Sequence, residues 1–126
     1  MSISIKTKGV RWVTFIPPPG EALYPVVWIG VSQVDKSWQK SDLYITPGGG
    51  WSGNPERYDK FGKWMERKEP VQIASLRIVD DVIEFNDGRH RFAWLRDHGV
   101  TVMPVHVDPD KVELVKNRFG VVGKLD

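Results

Sequence analysis

One segment concentrates the side chains that could do chemistry. A short apolar run leads into the turn Asp87-Gly88, and Arg89-His90-Arg91 then opens a stretch with the pattern of a helix. Two arginines and a histidine would lie in the first helical turn, where aligned peptide dipoles disfavour each cation by roughly 0.3–1 kcal/mol. Residues that oppose the helix dipole in this way indicate that an anion belongs at this position.

The same residues have the chemistry that a phosphate requires. Gly88 lets the backbone approach closely, and the first helical turn offers backbone N–H groups. Arg89 and Arg91 present forked donors, and His90 donates one hydrogen bond, or two when it is protonated. Charge-assisted hydrogen bonds contribute about 1.5–3 kcal/mol each, so three or four of them outweigh the dipole penalty. We therefore predict a phosphate site at Gly88, Arg89, His90 and Arg91.

Catalytic roles follow if the bound phosphate is also transferred. Arg91 would stabilise the developing charge and His90 would move a proton, since its ordinary pKa is about 6.5. Asp87 is the third candidate, because it either holds Mg²⁺ with Glu84 as a weaker partner or caps the helix. A purely structural explanation is that Arg91 pairs with Asp87, Arg89 is solvated and His90 is a buried, satisfied side chain.

A glycine-rich segment, residues 47–53, precedes the first predicted helix and contains Trp51. It is either a surface connection or a loop that closes over a ligand. Trp51 is the candidate for stacking on a base, because an aromatic side chain in such a loop can reach a ligand.

The elements around these residues are short and mixed. Strands are predicted over residues 10–16, 23–31 and 102–107, and a hairpin over 76–79 and 82–85. One helix starts at Asn54-Pro55 and stops at Pro70, a second spans 87–98, and a third follows Asp108-Pro109. Residues 32–42 are predicted to be a polar connection, and His106 to face the polar side of its strand. The order predicts an α+β domain with a small mixed sheet and about three helices.

Composition sets the outer limits. The chain has 126 residues, a net charge of +2 and 27% charged residues, which predicts a single domain with loosely ordered ends at 1–9 and 120–126. It has no cysteine, so disulfides, a thiol nucleophile and Cys-ligated metal sites are excluded. No signal peptide and no membrane insertion are expected, and the expected location is the cytoplasm.

The basic helix start resembles the ParB/sulfiredoxin superfamily. Sulfiredoxins carry Gly-Cys-His-Arg and ParB proteins Gly-Glu-Arg-Arg where this chain has Gly88-Arg89-His90-Arg91. The resemblance implies that the turn holds nucleotide phosphates, those of ATP in sulfiredoxins and of CTP in ParB proteins. The sulfiredoxin nucleophile falls at Arg89, so sulfinic-acid reduction is excluded. Because only 27 residues follow Gly99, the DNA-binding and dimerisation regions of ParB are not expected.

Across residues 26–107 the chain is more similar to short plasmid fertility-inhibition factors of the oncogenic-suppression (Osa) type. The shared patterns are Tyr-x-x-Pro-Gly-Gly at 44–49, Arg-Tyr-x-x-Phe at 57–61 and Asp-Gly-Arg-His-Arg-Phe-Ala-Trp at 87–94. This resemblance implies inhibition of conjugative plasmid transfer, with a component of a conjugation system as a partner.

Two functional hypotheses result. The first is a protein that binds ATP or another nucleotide with Mg²⁺ and acts as a metal-dependent ATPase or DNase. The second is a non-enzymatic regulator that uses the same basic helix start to bind DNA or an acidic protein surface.

Overall fold

The computed structural model describes residues 3–6, 12–20, 24–50, 53–67 and 69–121. These residues form seven strands, four α-helices and one short 3-10 helix at Pro109–Lys111. The strands are β1 (Ile3–Lys6), β2 (Trp12–Ile16), β3 (Val26–Gly30), β4 (Val71–Gln72), β5 (Ala74–Val79), β6 (Val82–Asp87) and β7 (Val102–His106). The helices are α1 (Val31–Trp38), α2 (Pro55–Glu66), α3 (Arg89–Asp97) and α4 (Val112–Phe119).

The described strands form two sheets. One has the order β1-β2-β4, and the other has the order β3-β7-β5-β6. In the larger sheet β5 and β7 run parallel, so the hairpin partner β6 and helix α3 form the crossover between them. The β5–β6 hairpin turns at Asp80 and Asp81, whose φ angles of 50° and 67° match a tight two-residue turn. The crossover sets the start of α3 at the end of β6.

The α+β class predicted from the sequence is confirmed, but the single sheet and the three helices are wrong in detail. The chain divides its strands between two sheets, and α1 occupies a stretch predicted to be a polar connection. Val31, Val34 and Trp38 are buried along one side of α1, a spacing of three and four residues that is typical of an amphipathic helix. The helix was missed because the strand β3 leads into it without an intervening turn.

Helix α2 begins as the sequence predicts. The Asn54 side chain accepts a hydrogen bond from the Arg57 backbone N–H at 3.2 Å, and Pro55 occupies the first helical position. Tyr58, Phe61 and Met65 are the buried face of the helix. The opposite side of α2 is therefore left to face solvent or a ligand.

His106 is buried, which corrects its predicted place on the polar side of a strand. Its strand, β7, lies inside the larger sheet between β3 and β5, and four of its five residues are buried. A strand covered on both faces has no polar side. His106 is 1% exposed and lies edge-on to the ring of Tyr24.

The predicted loose ends fall largely on residues outside the described ranges. Within them, β1 pairs with β2, Gly120 forms a bridge with Ile29, and the Val121 N–H donates to the Trp28 carbonyl at 3.1 Å. Among the described residues, no helix combines the length and the apolar character that crossing a lipid bilayer requires.

Candidate functional site

A cleft of about 590 Å³ opens in front of the first turn of α3. Its walls are the outward side of α2, the segment that leads into β4, and the end of β6. Gly88, Arg89, His90 and Arg91 all line it, so the structure brings the four predicted phosphate-binding residues to one cavity. The space in front of the helix start is therefore open.

Gly88 shapes the turn between β6 and α3. Its φ of 90° is left-handed, and a Cβ added there would lie 2.7 Å from the Ala74 Cβ. Both the conformation and the close approach of Ala74 require glycine at this position. Gly88 is the N-cap residue of α3, and no side chain of the described residues caps the helix. The backbone N–H groups of the first turn are therefore not capped by a side chain of the described residues.

Asp87 does not cap α3, which corrects one of its two predicted roles. It is the last residue of β6, and α3 starts at Arg89 instead of at Asp87. Its carboxylate forms an ion pair with Arg91 at 3.2 Å across one turn. The ion pair between Arg91 and Asp87, which the sequence analysis offered as part of a purely structural explanation, is therefore confirmed.

Arg91 remains part of the cleft wall although it has partners within the chain. Its Nε donates to the Gln72 carbonyl at 3.2 Å, and its Nη2 contacts Asp87. These contacts fix the guanidinium group against β4 and β6, with the side chain 21% exposed. A guanidinium group held in this way is pre-positioned for an anion and loses little freedom when one binds.

Arg89 is partly buried and bonded, whereas the structural explanation has it solvated. Its Nη1 donates to the Leu43 carbonyl at 3.0 Å. Burial lowers the pKa of Arg89, and the nearby charge of Arg57 lowers it further, while Glu84 acts in the opposite direction. Arg57 and Arg89 belong to different helices, and both line the cleft.

His90 links the starts of two helices. Its Nε2 accepts a hydrogen bond of 2.9 Å from the backbone N–H of Asn54, the N-cap residue of α2. Burial lowers the pKa of His90, and the charges of Arg89 and Arg57 lower it further. The ring is therefore neutral at pH 7, with Nδ1 as the protonated nitrogen. A proton-transfer role would require Nε2 to leave Asn54.

Helix α2 supplies a second set of basic side chains that the sequence analysis did not place in the site. Arg57, Lys60, Trp64 and Arg67 follow one another at intervals of three and four residues, and all line the cleft. Their spacing puts them on one face of a helix. The alternation of cations and a large aromatic ring on one helix face was the feature of the sequence that could have placed α2 in the site.

The charge of the cleft is strongly unbalanced. Among the described residues that line it, five are arginine or lysine and one, Asp87, is acidic. The whole chain, in contrast, has 18 basic and 16 acidic residues. The excess of positive charge is therefore local, and the cleft has the electrostatics of an anion site.

Both predicted metal ligands, Glu84 and Asp87, contact other side chains of the protein. The Glu84 carboxylate accepts a hydrogen bond from the Ser41 hydroxyl at 2.9 Å, and the Asp87 carboxylate is paired with Arg91. No group of three or more potential ligands occurs in the described parts of the chain. Because Mg²⁺ is usually held by one or two carboxylates together with water and substrate phosphates, a role of Asp87 or Glu84 toward a nucleotide-bound Mg²⁺ stays a prediction.

A partly buried polar network joins α2 to α3. Asp97 accepts hydrogen bonds from Arg96 Nε at 2.8 Å, the Tyr58 hydroxyl at 2.7 Å and the Gly48 N–H at 2.9 Å. Burial by itself raises the pKa of Asp97, but these hydrogen bonds and the Arg96 charge outweigh it and hold the pKa below its usual value. The same guanidinium group contacts Asp35 at 2.9 Å.

The glycine-rich loop is part of this network up to Gly50. Gly49 is buried with a φ of 76°, and a Cβ there would lie 2.6 Å from the ring of Tyr58. Glycine at this position thus lets the loop pack on α2. Trp51, the predicted stacking residue, lies outside the described residues.

The fold can be compared with known structures. No family model matches the chain, and no curated protein matches it in sequence. A crystal structure of the Oncogenic Suppression Activity Protein, a plasmid fertility inhibition factor, solved as a gold(I) cyanide derivative, superimposes with a TM-score of 0.66. The sequences are 17% identical, and the match covers 95% of this chain and 69% of the other. Membership of the ParB/sulfiredoxin superfamily stays a prediction. The chain has the fold of the oncogenic-suppression protein.

Proposed function

We propose that this protein binds the phosphate groups of a nucleotide or a nucleic acid in the cleft between α2 and the start of α3. The observation that carries the proposal is the set of five basic side chains, from two helices, around an open cavity with a single carboxylate. Each charge-assisted hydrogen bond to a phosphate contributes about 1.5–3 kcal/mol, and micromolar binding corresponds to about 8 kcal/mol, so roughly three to six such bonds are required.

The mutual influence of the cations supports this proposal. Arg57 and Arg89 belong to different helices, yet the charge of each of them lowers the pKa of His90. Like charges held together repel one another, and a bound anion relieves that repulsion. The fixed position of Arg91 against Gln72 and Asp87 adds a donor that needs no rearrangement.

Binding without turnover is the activity that the side chains favour. Nε2 of His90 is engaged by Asn54, and Asp87 is engaged by Arg91. Neither group is placed to exchange a proton with a ligand in this arrangement. The predicted catalytic roles of His90, Arg91 and Asp87 in ATP or DNA hydrolysis stay predictions, as does a requirement for Mg²⁺.

For the cellular role we propose interference with plasmid transfer. The support is the likeness in fold to a plasmid fertility inhibition factor, together with the three sequence patterns noted above. In this proposal the phosphate-binding cleft engages either a nucleotide that regulates the protein or DNA of a conjugation system. Conjugation frequency in donor cells that express the wild type or an Arg57→Ala variant tests it: loss of inhibition with the variant is expected, and equal inhibition would contradict a role of the cleft.

The binding proposal is tested by calorimetric titration of ATP, CTP, GTP and tripolyphosphate, each with and without Mg²⁺. Arg57→Ala and Arg89→Ala should each weaken binding by about 10- to 100-fold, because each removes a charge-assisted contact. Arg77→Ala is the matched control, since this exposed arginine of β5 lies outside the cleft. If neither nucleotides nor tripolyphosphate give heat that depends on Arg57 and Arg89, the proposed function is wrong.

A further inference from the structure

Trp64 is an unusual surface residue. Of the tryptophans whose side chains the structure describes, it alone is more than a third exposed, at 37%. Trp38, in contrast, is fully buried, and Trp94 stacks on the ring of His98. Trp64 lies on the α2 wall of the cleft and is one of the residues that line the cavity proposed to hold phosphate. A large apolar ring in a basic cavity favours a ligand that carries a flat, uncharged group as well as negative charge.

The ring of Trp64 is held by its neighbours. Its Nε1 donates to the Pro70 carbonyl at 3.1 Å, and the Arg67 guanidinium carbon lies 4.6 Å from the ring centroid. The side chain is therefore oriented before any ligand arrives, and little rotational freedom is lost when a second ring stacks on it.

The ring is also within a short distance of the phosphate end of the cleft. Arg91 Nε donates to the Gln72 carbonyl, two residues beyond the Pro70 carbonyl that Trp64 contacts. Two residues of extended chain span at most about 7 Å. With a hydrogen bond at each end, the indole nitrogen of Trp64 and Nε of Arg91 are at most about 13 Å apart.

We propose that Trp64 is the stacking surface for a nucleobase whose attached phosphate binds at the start of α3. This inference rests on the proposed function and narrows its ligand to a base joined to phosphate, as distinct from inorganic phosphates or phosphorylated proteins. The base belongs either to a free nucleotide or to an unpaired strand of nucleic acid, and both present the same flat ring. Because every base has an aromatic face, stacking alone tolerates different bases.

The test compares ligands that differ in the base. ATP, tripolyphosphate and a short single-stranded oligonucleotide are titrated calorimetrically into the wild type, Trp64→Ala, Trp64→Phe and Tyr24→Ala. Trp64→Ala should weaken binding of ATP or of the oligonucleotide by roughly 5- to 150-fold and leave tripolyphosphate within about twofold. Trp64→Phe should retain most of the affinity, because phenylalanine also stacks. Tyr24→Ala is the matched control, since Tyr24 is an exposed ring, 46% exposed, outside the cleft.

Each outcome has a distinct meaning. If ATP loses more than the oligonucleotide, the ligand is a free nucleotide, and the reverse result identifies an unpaired strand. Equal weakening of ATP and tripolyphosphate by Trp64→Ala, or a wild type that binds tripolyphosphate as tightly as both base-containing ligands, overturns the stacking role and leaves phosphate binding intact. Absence of binding by all three ligands overturns the proposed function itself. The Phe variant keeps the test informative if Trp64→Ala fails to fold.

Discussion

At the scale of single residues, His90 has the most informative environment. It accepts a hydrogen bond from Asn54, and its pKa is lowered by burial and by two arginines. A histidine of this kind serves structure in its neutral form and loses that role on protonation. The unfolded chain, where the pKa is about 6.5, binds a proton more readily than the folded chain. Stability contributed by the neutral ring is thus present above pH 6.5 and declines as the pH falls below it.

We therefore expect His90→Gln to reduce the pH dependence of stability. The glutamine carbonyl can accept the Asn54 N–H, and it does not titrate. Urea unfolding at pH 7.5 and pH 5.5 should show a larger loss of unfolding free energy in the wild type than in His90→Gln. His98 and His106 are common to both proteins, so the difference reports His90 alone. The same loss in both proteins would contradict the expectation.

The basic residues at the start of α3 could be predicted from the sequence, but the groups that contact their side chains in the folded protein could not. The spacing of Gly88, Arg89 and Arg91 predicts a basic helix start that favours an anion, and the structure places these residues on one cleft. The Asp87–Arg91 pair was one of three possibilities for Asp87, beside holding Mg²⁺ and capping α3, and the capping role depends on where β6 ends. Trp64 was overlooked because its partner Pro70 lies beyond the end of α2, and the cleft it lines is completed by residues of β6 and α3.

At the scale of elements, Asp97 determines how α2 lies against α3. Its carboxylate joins Tyr58 of α2, Gly48 of the loop and Arg96 of α3. Its side chain is 11% exposed, so the contacts are only weakly screened by water. The pKa of Asp97 is held below its usual value. Its contribution to stability is therefore present above about pH 3.9, the unfolded value, and is lost as the pH falls further.

Replacing Asp97 should weaken the contact between α2 and α3. Asp97→Asn removes the charge that Arg96 Nε, Tyr58 and Gly48 contact, whereas Arg96 keeps Asp35, so we expect a loss of about 1.5–3 kcal/mol in unfolding free energy. Asp59→Asn is the control, because Asp59 is exposed on α2 and its replacement should change stability by about 0.5 kcal/mol at most. Equilibrium urea unfolding measures both. A change for Asp97→Asn no larger than that of the control would show that the network does not hold α2.

The start of α2 and the hairpin could be predicted because local chemistry specifies them. Asn54 caps, Pro55 occupies the first position, and Asp80-Asp81 form the tight turn. Helix α1 could not be predicted in this way, because no capping side chain among the described residues marks the point where β3 ends and the helix begins. The stability of such a short helix comes from its packing. The burial of His106 likewise depends on strand order, which pattern alone does not determine.

At the scale of the whole molecule, positive charge is collected on one side of a nearly neutral chain. The net charge is +2, yet the described cleft residues include five basic side chains and one acidic side chain. Binding of a nucleic acid to such a cleft releases counterions, so the affinity falls as the salt concentration rises.

The division of the strands into two sheets could not be predicted from the sequence pattern, because the register and the partner of each strand depend on long-range packing.

The salt dependence can be assigned to single residues. If a single-stranded oligonucleotide binds, Lys60→Ala should reduce the slope of log affinity against log salt by about 0.7, the value for one lost phosphate contact. Lys116→Ala is the control, because Lys116 is exposed on α4 and lies outside the cleft. Fluorescence anisotropy at several salt concentrations measures the slopes. Identical slopes for the two variants would mean that α2 does not contact the strand.

The wall that carries Arg57, Lys60, Trp64 and Arg67 belongs to one stretch of chain between α1 and β4. The opposite wall, at Gly88, belongs to the junction of β6 and α3. The two walls therefore come from different parts of the chain. We expect that the solvent-facing residues of α2 can be substituted without disturbing the pairing of the strands. A relative with a divergent α2 sequence would therefore keep the basic start of α3, with Arg89 and Arg91, but would lose the three cations and the ring of the α2 wall, and we expect it to bind a different ligand.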